Sequence, residues 1–184
     1  MDPAFILLIA VPVLLIIILL AWWISVSNNF HRKQIKIKEA LSGIEIALTN
    51  RFDKLTKLLD VAKGFAAHEK ETFSQVISLR KGMNIGELNQ ANAQCDQLMA
   101  RINAVAEGYP ELRSAEMFRE LQGGIREAEA HLQAARRLYN SNVTLFNTAV
   151  VIFPSNIVAN AKHLQKAEFF EAEEAKKADV KISF

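Results

Sequence analysis

Two hydrophobic patterns divide the chain. From Ala4 to Phe30 no residue is charged, and Phe5 to Val26 is almost unbroken hydrocarbon. As a helix rising about 1.5 Å per residue, that run reaches roughly 33 Å, enough to cross a bilayer core of about 30 Å. Beyond it, apolar residues recur every three and four positions, the spacing of helices with one buried face. No run of alternating β-branched residues predicts a strand, and there are no internal repeats or low-complexity tracts.

The helical spacing is close to a heptad. In the first segment Ile37, Ile44, Leu58, Phe65 and Leu79 share one position, and Leu41, Leu48, Leu55, Ala62 and Val76 share the other. The second pairs Leu88, Cys95 and Ile102 with Ala91, Leu98 and Val105. The third reads Phe118, Ile125, Leu132, Tyr139, Phe146 and Phe153 against Leu121, Ala128, Ala135, Asn142 and Ala149. Large residues facing mostly small ones suit closely approaching helices. Breaks are expected at Lys81 to Gly86, Glu107 to Pro110 and Phe153 to Asn156. The expected fold is all-α, with one N-terminal transmembrane helix and then an elongated, antiparallel, coiled-coil-like helical bundle. Its parts are an anchor over 1–27, the bundle over 28–165 and a charged tail over 166–184.

The three segments differ in length: about 80 Å for 28–81, about 31 Å for 87–107 and about 58 Å for 115–153. Either the first breaks, near Gly43 or Gly64, or long helices project beyond their partners and need cover from neighbouring subunits. Gly123-Gly124 reads as a hinge or as a point of close contact.

A cleavable signal peptide is the rival to an anchor. It needs a basic n-region and an apolar run of about 7–15 residues. Met1-Asp2-Pro3 supplies no basic side chain, and the run is too long. The anchor is marked by Phe5 at its start, by Pro12 as a mild kink, and by Trp22 and Trp23 as an interfacial belt. Asp2 is the only charge before the span, whereas His31, Arg32, Lys33, Lys36 and Lys38 follow it. The positive-inside rule then places the N-terminus outside and the C-terminal domain in the cytoplasm, at a cell (inner) membrane. Arg32, Lys33, Lys36 and Lys38 either set topology alone or also contact anionic headgroups.

The net charge of +2 adds little. No basic face interleaved with aromatics predicts nucleic-acid binding. The single cysteine, Cys95, excludes an intrachain disulfide and fits a small core residue. His68-Glu69 begins like a zincin helix but lacks the second histidine, and no histidine follows a glutamate by three. The glycines form no phosphate-cradling loop. No catalytic residue, cofactor or metal site is expected.

The segment from Arg136 to Pro154 stands out. Asn140 and Asn147, seven apart, lie on one helix face and can pair with another helix to fix its register. Tyr139, Val143, Phe146, Val150, Phe153 and Pro154 complete a packing or self-association motif. Residues 143–158 are apolar nearly all round but too short to span a bilayer, so this turn is expected to be deeply buried in the fold or in an interface. Ser155 or Asn156 can cap a short helix there, or the chain can continue as an extended strap.

The pattern Tyr139, Asn140, Val143, Asn147, Phe153, Pro154 resembles that of LemA, a bacterial membrane-protein family. The likeness extends to Lys63 through Glu69, to Ala106 through Leu112, and to Phe169 through Glu173, and covers the chain from about Ala40 onward. The chain departs from the family where a tryptophan is usual at Leu41, a double arginine at Asn50-Arg51 and a proline at Thr56. The resemblance implies an N-out anchor with a cytoplasmic helical bundle and brings no catalytic residues.

Two functional readings follow. One is a non-enzymatic, self-associating protein whose helical domain forms a scaffold or coat on the membrane, with the lipid bilayer and further copies of itself as partners. The other is a membrane-tethered adaptor that docks a soluble partner through Glu168 to Glu174, with Phe169 and Phe170 as the recognition segment.

Overall fold

The computed structural model describes residues 3–65 and 82–170, with side chains from Ile9 onward. Leu79, Val76, His68, Glu69 and the tail from Glu171 lie outside the described residues. Among the described residues five helices follow one another: α1 (Pro3–Phe65), α2 (Ile85–Gly108), α3 (Pro110–Ser114), α4 (Glu116–Val151) and α5 (Ser155–Ala161). The fold is all-α, with no strand among the described residues.

Local chemistry sets the boundaries. Gly82 adopts a φ of +81°, a conformation that a Cβ disfavours. Asn84 then starts α2 with a reciprocal cap: its Oδ1 accepts from the Glu87 N–H at 2.9 Å, and Glu87 Oε2 accepts from the Asn84 N–H at 2.8 Å. Two N–H groups that the helix leaves without partners are thereby satisfied. Pro110 opens α3, where its missing N–H costs nothing. At the end of α4 the chain bends by 90° into α5.

A break near Gly43 does not occur, for α1 runs uninterrupted from Pro3 to Phe65. One helical glycine costs about 1 kcal/mol relative to alanine. Ala40, Ile44 and Leu48 are all buried around it, and each fully buried leucine or isoleucine returns roughly 1.5–3 kcal/mol. Packing therefore outweighs propensity. The expected break near Gly64 falls at the limit of the described residues, which stop at Phe65.

The chain divides into two compact units. The first combines Met1–Lys38 with Ser141–Ala167. Its core is Phe30, Phe146, Val158 and Ala159, flanked by Trp22, Trp23, Val26, Ile37, Ala149, Val150, Leu164 and Ala167. Phe30 and Phe146 meet edge to face, with centroids 6.0 Å apart. Phe146 on α4 and α5's Val158 and Ala159 thus close over α1 at the end of its uncharged run.

The second unit combines Glu39–Asn140 with Glu168–Phe184. The heptad positions form its core. Ile44, Leu48, Leu55, Leu58 and Ala62 of α1 are fully buried, as are Cys95 and Ile102 of α2 and Leu132 of α4. Leu88, Ala91, Leu98 and Val105, with Phe118, Ile125, Ala128 and Tyr139, complete it. Gly124 marks a point of close contact inside a continuous helix: Lys54 Nζ donates to its carbonyl at 2.9 Å.

Candidate functional site

Among the described residues one helix, α1, is long and apolar enough to cross a membrane. Between Ile9 and Leu20 every described large apolar side chain is about half exposed or more, with no cover among the described residues. Pro12 lies within this uninterrupted stretch. Phe5 is in α1, and its side chain is outside the described set. Trp22 and Trp23 are half-buried, each packed against the cluster around Phe30 and Phe146. The bare hydrocarbon ends where the first core begins.

A polar rim follows within the same unit. Arg32, Lys33 and Lys36 line a cleft with Asn29, Asn142 and Leu145, while Lys38 is exposed outside it. Asn142 Nδ2 donates to the Lys36 carbonyl at 3.3 Å, joining α4 to α1. Lys162, just past α5, hydrogen-bonds Ser27 and stands 3.4 Å from His31 Nε2. Three cationic side chains thus share one cleft just after the uncharged run of α1, and Lys162 stands separately beside Ser27 and His31. Ammonium and guanidinium groups so placed suit phosphate or carboxylate oxygens.

Both asparagines of the motif pair with non-helical backbone. In the first unit Asn147 Nδ2 donates to the Ala167 carbonyl at 2.9 Å, and its Oδ1 accepts the Ala167 N–H at 2.8 Å. In the second, Asn140 does the same to Phe170, at 3.0 and 2.9 Å. Each carboxamide imitates a neighbouring strand and satisfies one residue of non-helical chain. The Tyr139 hydroxyl donates to the Glu168 carbonyl at 2.9 Å. Burial, and then the nearby Glu168 charge, raise its pKa above the usual phenol value. Arg136 lies over the Phe170 ring, 4.6 Å from its centroid.

The apolar members of the motif divide. Val143 and Phe146 are buried, and Val150 packs on the Phe30 cluster. Phe153 is 75% exposed and Pro154 is exposed too. Of the expected burial of 143–158, the fold itself supplies the inward face. α4 ends at Val151, so Phe153 keeps its place in the heptad sequence but leaves the helix that would have carried it inward.

Arg51 is a site that sequence reasoning missed. It is 4% exposed in the second unit, its Nη1 donating to Asn92 Oδ1 at 2.8 Å. It also pairs with Asp96, and its Nε stands 2.9 Å from Glu129 Oε2. One cation thereby ties α1 to α2 and α4. The local signal was an arginine between core positions, and its partners lie 41, 45 and 78 residues away. Beside this cluster Cys95 is buried, and desolvation pushes its thiol up to about 11. Among the described residues no group of three or more His, Cys, Asp or Glu side chains is placed to hold a metal ion.

An exposed apolar helix continuous with a helical core and a cationic rim defines a membrane-associated, all-α protein. A model of the LemA family matches residues 40–184, and the chain belongs to that family. Protein LemA of Metamycoplasma hominis is 27% identical over 166 residues, covering 88% of this chain and 76% of that protein. Magnetosome proteins MamQ 1 and MamQ 2 of Paramagnetospirillum magneticum are each 21% identical over 198 residues, covering 91% of this chain and 73% of theirs.

Proposed function

We propose that this protein is a non-enzymatic, single-pass membrane protein whose helical part associates with further copies of itself to form a scaffold on the cytoplasmic face. The observation that carries this reading is the set of large apolar side chains left exposed outside the uncharged N-terminal run. Ile35 and Ile46 on α1, and Met117, Leu138 and Leu145 on α4, are each more than half exposed. Leu138 and Leu145 repeat at a heptad spacing, the arrangement with which one helix receives another. An anchor that confines all copies to a plane raises their effective concentration.

The asparagines belong to a different role in this account, because both already hold backbone of their own chain. The test therefore falls on exposed positions. Ile46→Glu combined with Leu138→Glu should reduce the assembled mass of the full-length protein in mild detergent while leaving its melting temperature within a few degrees. Such surface changes usually alter stability by within about 0.5 kcal/mol. Unchanged assembly in that variant would remove these faces as the interface.

The adaptor reading draws less support. Phe170 is 2% exposed and covered by Arg136, so of the tail's aromatic pair only Phe169 is presented to a partner.

A further inference from the structure

The turn between α4 and α5 leaves an apolar tip uncovered. Val151, Ile152, Phe153 and Ile157 are all about half exposed or more, Phe153 at 75%. No charged residue occurs anywhere from Leu138 to Ala161. A loop on a water-facing surface would ordinarily be polar.

Its surroundings identify what covers it. Ala149, Val150 and Val158, which flank the tip, pack in the same cluster as Trp22, Trp23 and Val26. The tip therefore projects beside α1 at the point where the exposed hydrocarbon of Ile9 to Leu20 ends. The antiparallel pairing of α1 with α4 agrees: Lys36 meets Asn142, Phe30 meets Phe146, and higher numbers on α4 face lower numbers on α1. Further along α1 in the same unit, Lys162 contacts Ser27 and His31, and Arg32, Lys33 and Lys36 line their cleft. Apolar tip, tryptophans and cations thus follow one another in the order of a membrane interface.

Part of the tip's backbone is satisfied within the turn, as a medium poor in hydrogen-bond partners favours. The N–H groups of Ile152, Asn156 and Ile157 donate to Thr148, Ile152 and Pro154 carbonyls at 3.0, 2.9 and 3.2 Å. Pro154 has no N–H, and the Ser155 hydroxyl donates to the carbonyls of Ala149 and Ile152, at 2.6 and 2.9 Å.

We propose that the Val151–Ile157 tip dips into the apolar edge of the bilayer that α1 crosses, with Phe153 as its leading side chain, giving the protein a second membrane contact. The proposal rests on α1 crossing the membrane and is independent of self-association. A wedge beside the anchor fixes the tilt and rotation of the unit against the bilayer, which a single helix leaves free.

The test uses full-length protein in vesicles of neutral and anionic phospholipid, in a Cys95→Ala background. An environment-sensitive dye is attached through Phe153→Cys, Leu15→Cys or Leu145→Cys in separate samples. Lipids carrying a spin label in the acyl chain act as quenchers. The expected result is blue-shifted emission with strong acyl-chain quenching at positions 15 and 153, and weak quenching at 145. Quenching at 15 without quenching at 153 overturns the proposal. Red-shifted emission at 153 would then mean a tip in water, and blue-shifted emission a tip covered by a second copy. Loss of quenching at 15 as well overturns the crossing of α1 and the tip insertion with it.

Discussion

The side-chain amide of Asn147 and the backbone of Ala167 form two hydrogen bonds, one in each direction, at 2.9 and 2.8 Å. A helix face thereby offers a non-helical segment the donor and acceptor that a neighbouring strand would supply. Leu164 to Phe170 have no secondary structure of their own, so their buried polar groups depend on such pairing.

Replacing Asn147 by leucine keeps the size of the side chain and removes both bonds. The Ala167 N–H and C=O are then left without partners in a part-buried place, at a cost of about 1–3 kcal/mol. Thermal unfolding of Asn147→Leu in detergent should show a melting point lower by several degrees. Limited proteolysis should cut sooner between Leu164 and Ala167. An unchanged melt and cleavage pattern would show that the pairing contributes nothing.

Arg51 answers to two carboxylates and an amide at once. Arg51→Met leaves Asp96 and Glu129 beside an apolar side chain, and breaking a buried pair from one side costs on the order of 3 kcal/mol. The triple variant Arg51→Met, Asp96→Leu, Glu129→Leu should recover much of that loss, since no charge remains to be compensated. A denaturant series across the single and triple variants reads both numbers. Equal stability of the two would contradict the ionic account.

Cys95 should resist alkylation in the folded protein at pH 8 and react promptly once unfolded, because burial raises its pKa from 9.0 to about 11. The linkage has a definite sign. The fold favours the protonated thiol, so this contribution to stability is fully present below pH 9 and is lost as pH rises through about 11. Cys95→Ala should lack that fall between pH 9 and 11, which melting curves across the range will show.

Gly123 and Gly124 sit inside continuous helix. A Cβ at Gly123 would find only Arg126 at 3.9 Å, and one at Gly124 would meet the flexible Lys54 side chain at 3.4–3.6 Å. Gly123→Ala should therefore stabilise by up to about 1 kcal/mol, and Gly124→Ala by less. Circular-dichroism melts will rank the two against the parent.

The sequence and the fold agree where periodicity carries the information. Positions such as Ile44, Leu48, Leu55 and Leu58, or Leu88, Cys95 and Ile102, are buried because a helix with one apolar face can hide them in only one way. The exposed run of α1 was legible for the same reason, from length and lack of charge alone. Other features depend on distant partners. Arg51 is polar on any scale, and nothing local reveals Asn92, Asp96 or Glu129 around it. A carboxamide such as Asn140 pairs equally well with a helix or an extended strand, so its spacing named a face and left the partner open. Phe153 shows the opposite failure. It keeps the heptad count, but α4 stops two residues short of it.

The mass of the full-length protein in mild detergent, by light scattering corrected for bound detergent with electron microscopy of the same peak, tests the scaffold most directly. The account predicts a closed assembly of uniform size, many times the 20.6 kDa of one chain. A monomer or dimer at all concentrations would contradict it.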